Sequence, residues 1–122
     1  MGKTKKQYFN ALNEYKEKYK TEKVILLMQV GDFYEVYALS EKGKMEDISK
    51  SNIYDFSEIT GYAVKKKNEK HRGKEILMSG TPLSCNLGEI TQKIAGNGFY
   101  VPVMAQIKDE NGEVIDRKEI FN

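Results

Sequence analysis

Residues 24–37 read VILLMQVGDFYEVY, and this segment determines the class of fold. Its first part, Val24 to Met28, is a continuous apolar run that is too short for a buried helix and suits a central strand buried on both faces. Gly31-Asp32 marks a tight bend. Phe33 to Tyr37 then combines aromatic residues with alternation, which favours a second extended segment. The segment therefore predicts two consecutive strands of a sheet, the first of them at its centre.

Three helices are predicted outside this segment, at residues 4–20, 46–59 and 86–95. The third has the clearest signal, because Asn86 can cap it and Glu89, three residues later, completes a capping box. Gly61 can end the second helix, and Gly96-Asn97-Gly98 the third. The apolar residues assigned to the buried faces are Tyr8, Phe9, Leu12, Tyr15 and Tyr19 in the first helix, Ile48, Ile53, Phe56 and Ile59 in the second, and Leu87, Ile90 and Ile94 in the third.

The remaining strands are predicted from shorter patterns. Residues 62–65 and 75–78 are expected to flank a basic loop, and Ser79-Gly80-Thr81-Pro82 is expected to be a turn whose proline excludes a central strand position. Residues 99–107 are predicted to form a strand in which Pro102 indicates an edge or a bulge. Asp109 to Gly112 is a hairpin turn, because Asn-Gly accepts the conformation of a primed turn, and residues 114–120 return as its partner. The prediction is one α+β domain over residues 1–122, a mixed sheet of about five or six strands flanked by about three helices.

Composition limits the class of protein. With 122 residues, 39% of them hydrophobic and 31% charged, the chain can form one compact domain and is neither disordered nor fibrous. The longest apolar run, Val24 to Met28, is too short to cross a bilayer. The amino terminus is polar and carries no visible signal peptide, and Cys85 is the only cysteine. We expect an intracellular protein with no membrane partner.

Catalytic and metal-binding motifs are largely missing. The nearest fragment of a phosphate-binding loop, Gly73-Lys74, is followed by Glu75 and lacks the earlier glycine. Cys85 and His71 cannot form a familiar zinc site on their own. They remain a minor alternative as a nucleophile and base pair, although no motif surrounds either residue. We expect no enzymatic activity, no catalytic residue, no metal and no cofactor in this chain.

The pair Phe33 and Glu35 is the first candidate site. Side chains alternate along a strand, so both residues should project from the same face. A ring beside a carboxylate is unusual in a core, which raises the possibility of a binding site. One alternative is that Phe33 is buried and Glu35 lies at its rim. Another is that Asp32 and Glu35 form an acid–base pair of a small hydrolase.

The basic segment 65–74 is the second candidate. Net charge is only +2, from 20 basic and 18 acidic residues, so a polyanionic partner is allowed but not required. Contact with DNA phosphates and a merely solvated loop are both open interpretations. The six basic residues of this segment are Lys65, Lys66, Lys67, Lys70, Arg72 and Lys74.

The segment from Val30 to Glu35 resembles the Gly-Asp-Phe-Tyr-Glu signature in the first domain of MutS mismatch-repair proteins. Met78-Ser79-Gly80-Thr81-Pro82 is similar to the family's Met-Ala-Gly-x-Pro, and the resemblance continues through Ala105-Gln106-Ile107 and Asp116-Arg117-Lys118. It covers roughly residues 5–120. The chain departs from the family at Met104-Ala105, where the family has Cys-Glu. The residues before the signature, Leu27 to Val30, are more similar to the branch of the family found in large viruses and some organelles.

The resemblance implies a function. The residue matching Phe33 enters the minor groove and stacks on a mispaired base, and the carboxylate matching Glu35 hydrogen-bonds that base. Glu35 is then expected to be protonated, or to share a proton with the base, when docked. The expected partners are mismatched double-stranded DNA, other MutS domains and a second MutS subunit, in a bacterial cytoplasm or nucleoid, a virus-infected cell or an organelle.

The resemblance covers only the first domain of the family. The connector, lever, clamp and ATP-binding domains are not in this sequence, so the chain is expected to be part of a longer protein or a stand-alone domain. The alternative function is a protein-interaction or structural module that keeps the fold without probing mismatches. Burial of Phe33 would favour that alternative.

Overall fold

The computed structural model describes residues 2–120 and contains three helices and six strands within them. The helices are α1 (Lys3–Tyr19), α2 (Ile53–Thr60) and α3 (Leu87–Gly96), and the strands are β1 (Leu27–Val30), β2 (Phe33–Glu41), β3 (Lys65–His71), β4 (Lys74–Pro82), β5 (Val103–Lys108) and β6 (Val114–Ile120). This is the expected α+β fold.

The six strands form one mixed sheet in the order β3-β4-β2-β1-β5-β6. Among the strand pairings within residues 2–120, that of β1 with β5 is parallel and the other four are antiparallel. The apolar run ends in β1 at the centre, and Val24 to Met28 are completely buried, as predicted. The strand itself begins at Leu27, because Val24 makes only an isolated parallel bridge to Tyr100.

Helices pack on the sheet and supply six of the thirteen other buried hydrophobic residues of the described core. The Tyr8 ring of α1 packs edge-on against Tyr37 of β2, with 5.2 Å between the ring centroids, and its hydroxyl donates to the Leu26 carbonyl at 2.9 Å. Helix α2 packs against α3 and contacts β2 and β4. The predicted cap of α3 is confirmed, since the Asn86 side chain accepts a hydrogen bond from the Glu89 N–H at 3.1 Å.

The second helix begins at Ile53, and the prediction that it starts at residue 46 is wrong. The Asp47 carboxylate accepts hydrogen bonds from the hydroxyls of Ser49 and Ser51, at 2.7 and 2.9 Å. Lys50 and Asn52 have left-handed backbones, with φ of 54° and 63°. Short polar side chains here bond locally and hold the backbone out of a helix, so the segment before Ile53 is an ordered connection.

The predicted basic loop is a β-hairpin. The pairing of β3 with β4 continues as far as His71 and Lys74. The two residues between them, Arg72 and Gly73, both have positive φ, at 52° and 77°, as a type I′ turn requires. Residues 79–82 lie in β4, so their assignment to a turn is also wrong. Pro82 is tolerated because β3 begins at Lys65, opposite Met78, so that within residues 2–120 the last part of β4 pairs with β2 alone.

The last hairpin is confirmed, with two corrections. Pro102 precedes β5, which is an interior strand, so proline marks neither an edge nor a bulge; its carbonyl accepts from the Leu27 N–H at 3.0 Å. In the turn from Asp109 only Gly112 has positive φ, so the turn is not primed. The Asp109 side chain instead accepts from the N–H groups of Asn111 and Glu113, each at 2.9 Å.

No helix within residues 2–120 has both the length and the apolar character needed to cross a bilayer.

Candidate nucleic-acid interface

The turn between β1 and β2 places Phe33 at a strand end. Val30 pairs with Phe33, so the loop contains only Gly31 and Asp32. Gly31 has φ of 60°, and positive φ at the first central position alone is the pattern of a type II′ turn. The Asp32 carbonyl accepts from the Leu83 N–H at 2.9 Å, which ties the turn to the end of β4. The backbone beneath Phe33 is therefore held on two sides.

The Phe33 side chain is 48% exposed, so the interpretation that it is buried in the core is wrong. Its neighbours along the strand, Tyr34 and Val36, are buried on the opposite face. Glu35, two residues from Phe33, is half-buried and lies on the same face, as predicted. An aromatic ring and a carboxylate thus share one accessible surface at the end of β2.

The Glu35 carboxylate is oriented by Tyr37, the next residue on the same face. The Tyr37 hydroxyl donates a hydrogen bond to Glu35 Oε2. Tyr37 is 2% exposed, and burial, followed by the hydrogen bond to Glu35, raises its pKa well above the usual value. The phenol therefore stays protonated and acts as a fixed donor. A carboxylate has about four lone-pair sites, so Glu35 retains acceptor capacity for a ligand.

A cleft of about 360 Å³ adjoins Phe33 and Glu35 on this face. Gly80 of β4 lies opposite Glu35, and a Cβ there would come within 2.6 Å of the Tyr34 carbonyl oxygen and 3.2 Å of Glu35 Cα. Glycine is therefore required for the two strands to approach at this point, and it also keeps the cleft free of a side chain. The residues that line the cleft are Phe33, Glu35, Tyr62, Ala63, Lys65, Met78, Ser79, Gly80 and Pro82.

The six predicted phosphate contacts do not form one patch. Lys65 is exposed and lines the cleft, so it lies beside Phe33 and Glu35. Lys66 projects from the opposite face of β3, and its ammonium lies 3.2 Å from Glu75 Oε1. The other four follow further along the hairpin: Lys67 and Lys74 are half-buried, and Lys70 and Arg72 are exposed.

The hairpin tip is distant from Phe33. Phe33 pairs with Pro82 at one end of β4, and Lys74 lies at the other end of this nine-residue strand. At about 3.3 Å per residue the separation is roughly 25 Å. Arg72 and Lys74 can therefore meet the same duplex only about seven base pairs from the position of Phe33.

Three residues that support this surface were not assigned to it from the sequence. Tyr37 follows Glu35 by two positions, and the alternation of the strand was the signal that could have identified it. Lys5 of α1 lies over the Tyr37 ring, 5.2 Å from its centroid, and pairs with Glu69 of β3. Arg117 of β6 donates to the Gln29 carbonyl at 2.8 Å, behind the turn. Only the folded structure brings Lys5 and Arg117 to this part of the sheet.

The catalytic alternatives lack the necessary geometry. His71 lies at the tip of the β3–β4 hairpin, and Cys85 follows Pro82 at the opposite end of β4, roughly 25 Å away. They cannot pair as a nucleophile and base. The cleft is lined by Glu35 and not by Asp32, so it does not bring the two carboxylates together. Within residues 2–120 no three His, Cys, Asp or Glu side chains are grouped to hold a metal ion.

No model of a known protein family matches the chain, and no curated protein matches it.

Proposed function

We propose that this chain binds mismatched or unpaired bases in duplex DNA by inserting the Phe33 ring into the minor groove, as the resemblance to the first domain of MutS proteins implies. The observation that carries the proposal is the exposed Phe33 next to a two-residue turn, with the oriented carboxylate of Glu35 beside it. The proposal assigns no catalytic residue, cofactor or metal to this chain.

Phe33 has the properties required of a wedge. An apolar side chain that enters a base step unstacks it and kinks the duplex, at a cost of a few kcal/mol. That cost is smallest where the bases are already poorly paired. Stacking of a base on an aromatic ring contributes about 1–3 kcal/mol and tolerates any base. A mismatch is therefore selected because the DNA deforms more easily there.

Glu35 contributes discrimination more than affinity. A carboxylate near the phosphates is repelled, and this repulsion disfavours docking on a correctly paired step. An unpaired base offers N–H donors that can offset the repulsion. The hydrogen bond from Tyr37 holds the carboxylate in place before DNA arrives, which reduces the entropy lost on binding.

Lys65 is the best placed of the basic residues to bind a phosphate next to the mismatch, because it lines the same cleft as Phe33. Such a contact adds affinity that is independent of sequence and decreases with salt. Lys67, Lys70, Arg72 and Lys74 would act further along the duplex, whereas Lys66, which pairs with Glu75 on the opposite face of β3, is the least suited of the six to contact the DNA. In a repair complex, other MutS domains and a second subunit would add further contacts and the ATPase.

The test is fluorescence anisotropy of a duplex with one G·T mismatch against its fully paired twin at low salt. We expect a preference for the mismatch that Phe33→Ala reduces by about 5- to 150-fold, the equivalent of 1–3 kcal/mol of stacking. Ile115→Ala is the matched control, since Ile115 is also an exposed apolar side chain, 60% accessible, but lies on β6. Equal affinity of the wild-type protein for both duplexes would refute the proposal.

A further inference from the structure

We propose that the cleft beside Phe33 receives a single unpaired base turned out of the duplex, and that guanine fits it best. This inference rests on the proposed function and specifies the ligand of the same site. It goes beyond stacking on a base that stays within the helix, because it assigns a binding pocket and names the groups that read the edge of the base.

The cleft has the size and walls required for a base. Its volume of about 360 Å³ lies at the small end of the range for ligand pockets, roughly 300–1,000 Å³. Phe33, Met78 and Pro82 supply apolar surface, and Gly80 leaves the floor open. Because the Phe33 ring is itself a wall, a base that leaves the helical stack can remain stacked on the ring. Enzymes that extrude bases stack them between apolar side chains in the same way.

Two groups of opposite charge line the cleft and are available to a ligand. Glu35 supplies an acceptor and Lys65 a donor, and these two described residues do not pair with each other in an ion pair. By contrast, the next lysine along the strand, Lys66, is paired with Glu75. The cleft therefore presents one acceptor and one donor that have no mutual contact to break before a base binds.

Guanine matches this pair better than the other bases do. Its Watson–Crick edge carries two adjacent donors, N1–H and the N2 amino group, which a carboxylate can accept together, and one acceptor, O6, which suits an ammonium. Glu35 would thus act here as a carboxylate and not in the protonated form expected from the resemblance. Adenine and cytosine each offer one donor group on that edge. Thymine offers N3–H between two carbonyls, and one of these would face the carboxylate. Hydrogen bonds to a charged acceptor are the stronger ones, so the second donor of guanine should be decisive.

The experiment compares duplexes of one sequence that each carry a single extrahelical nucleotide: guanine, inosine, adenine or thymine. Inosine lacks only the N2 amino group of guanine. We expect the wild-type protein to bind the guanine duplex about five- to tenfold more tightly than the inosine duplex, as the loss of one charge-assisted hydrogen bond in a partly open cleft implies. In Glu35→Gln, which keeps one acceptor, this difference should largely vanish.

The lysine is tested separately. Lys65→Met should weaken binding of the guanine duplex more than Lys66→Met does, because the two changes remove the same charge from opposite faces of β3. Unfolding midpoints of each variant would show that the fold is intact.

The outcomes separate the two proposals. Tighter binding of every extrahelical base than of the paired duplex, with no preference for guanine over inosine, would overturn the inference and leave the proposed function standing. Equal binding of extrahelical and paired duplexes would overturn both. A preference for guanine that survives Glu35→Gln would also overturn the inference, because groups other than Glu35 would then be binding the Watson–Crick edge of the base.

Discussion

The substitution Tyr37→Phe isolates one hydrogen bond at the candidate site. The Tyr37 hydroxyl donates to Glu35, while its ring is 2% exposed and packs edge-on against Tyr8 with 5.2 Å between centroids. Phenylalanine retains the ring contact and removes only the hydroxyl. Tyr34→Phe is the matched control, since it removes a hydroxyl from a buried tyrosine on the opposite face of β2.

The expected size follows from the burial of both partners. A hydrogen bond to a charged group contributes about 1.5–3 kcal/mol, and water can replace part of it here because Glu35 is half-exposed. We therefore expect the free energy of unfolding to fall by about 1 kcal/mol, which lowers Tm by about 3–6 °C for a domain of this size. Release of the Glu35 side chain should cost a further 0.5–1.5 kcal/mol on binding, or roughly two- to tenfold in mismatch affinity.

Thermal unfolding followed by circular dichroism measures the first effect, and anisotropy with the G·T duplex measures the second. Tyr37→Phe should weaken mismatch binding and leave binding of paired DNA almost unchanged. If Tyr37 acts through Glu35, its effect on mismatch affinity should shrink in a Glu35→Gln background. Full additivity of the two substitutions, or an unchanged mismatch preference in Tyr37→Phe, would refute this reasoning.

Three other expected outcomes test the surrounding structure. Gly80→Ala should destabilise the fold by about 1–3 kcal/mol in chemical denaturation, because its Cβ would lie 2.6 Å from a backbone oxygen of β2. Gly96→Ala is the control, and it should be neutral or stabilising because the space around Gly96 in α3 is open. Lys65→Ala should lower the slope of log affinity against log salt by about 0.9, and Lys66→Ala, which removes a lysine paired with Glu75 on the opposite face of β3, by less; equal changes would contradict the assignment of Lys65 to the site. Burial raises the pKa of Tyr8 above 10.0. The free energy of unfolding should therefore stay constant up to about pH 10 and fall at higher pH, where tyrosines ionise in the unfolded chain. Urea unfolding at a series of high pH values measures this, and an unfolding free energy that does not change with pH would count against it.

The elements that were predicted correctly have a periodic or local cause. The apolar run before Met28 could be assigned to the sheet centre because a strand buried on both faces must be apolar throughout. Asn86 and Glu89 located the start of α3, since a cap depends on residues three apart in sequence. Gly31-Asp32 located the first turn. In each case the signal lies within a few residues of the feature that it determines.

The wrong predictions concern elements whose conformation depends on contacts outside the periodic pattern, either with neighbouring strands or with nearby polar side chains. Strand β3 is rich in lysine on both faces, and only its position at the sheet edge makes such a strand tolerable. Pro82 is acceptable in β4 because β3, whose first residue Lys65 pairs with Met78, does not extend to that end of β4. The start of α2 moved to Ile53 because Asp47 bonds locally to two serines, and helical periodicity carries no information about that competition.

The candidate site was only partly predictable. Strand alternation placed Phe33 and Glu35 on one face. The exposure of the ring, however, depends on how far α1 covers β2, and the sequence of the strand alone carries no information about that packing. The same limit applies to Lys65, which reaches the cleft because β3 pairs with β4, whereas its neighbours in the basic segment point elsewhere or lie further along the hairpin.

The parallel pairing of β1 with β5 has a consequence for synthesis of the chain. Strand β1 is made well before its partner on one side, since the register pairs Leu27 with Val103, 76 residues later in the chain. At about 5–20 residues per second, the ribosome delivers β5 roughly 4–15 s after β1. During that interval the most apolar strand of the sheet has an unpaired edge, a target for chaperones and for association with other nascent chains. Conditions that slow translation between β1 and β5 should therefore lower the yield of folded protein.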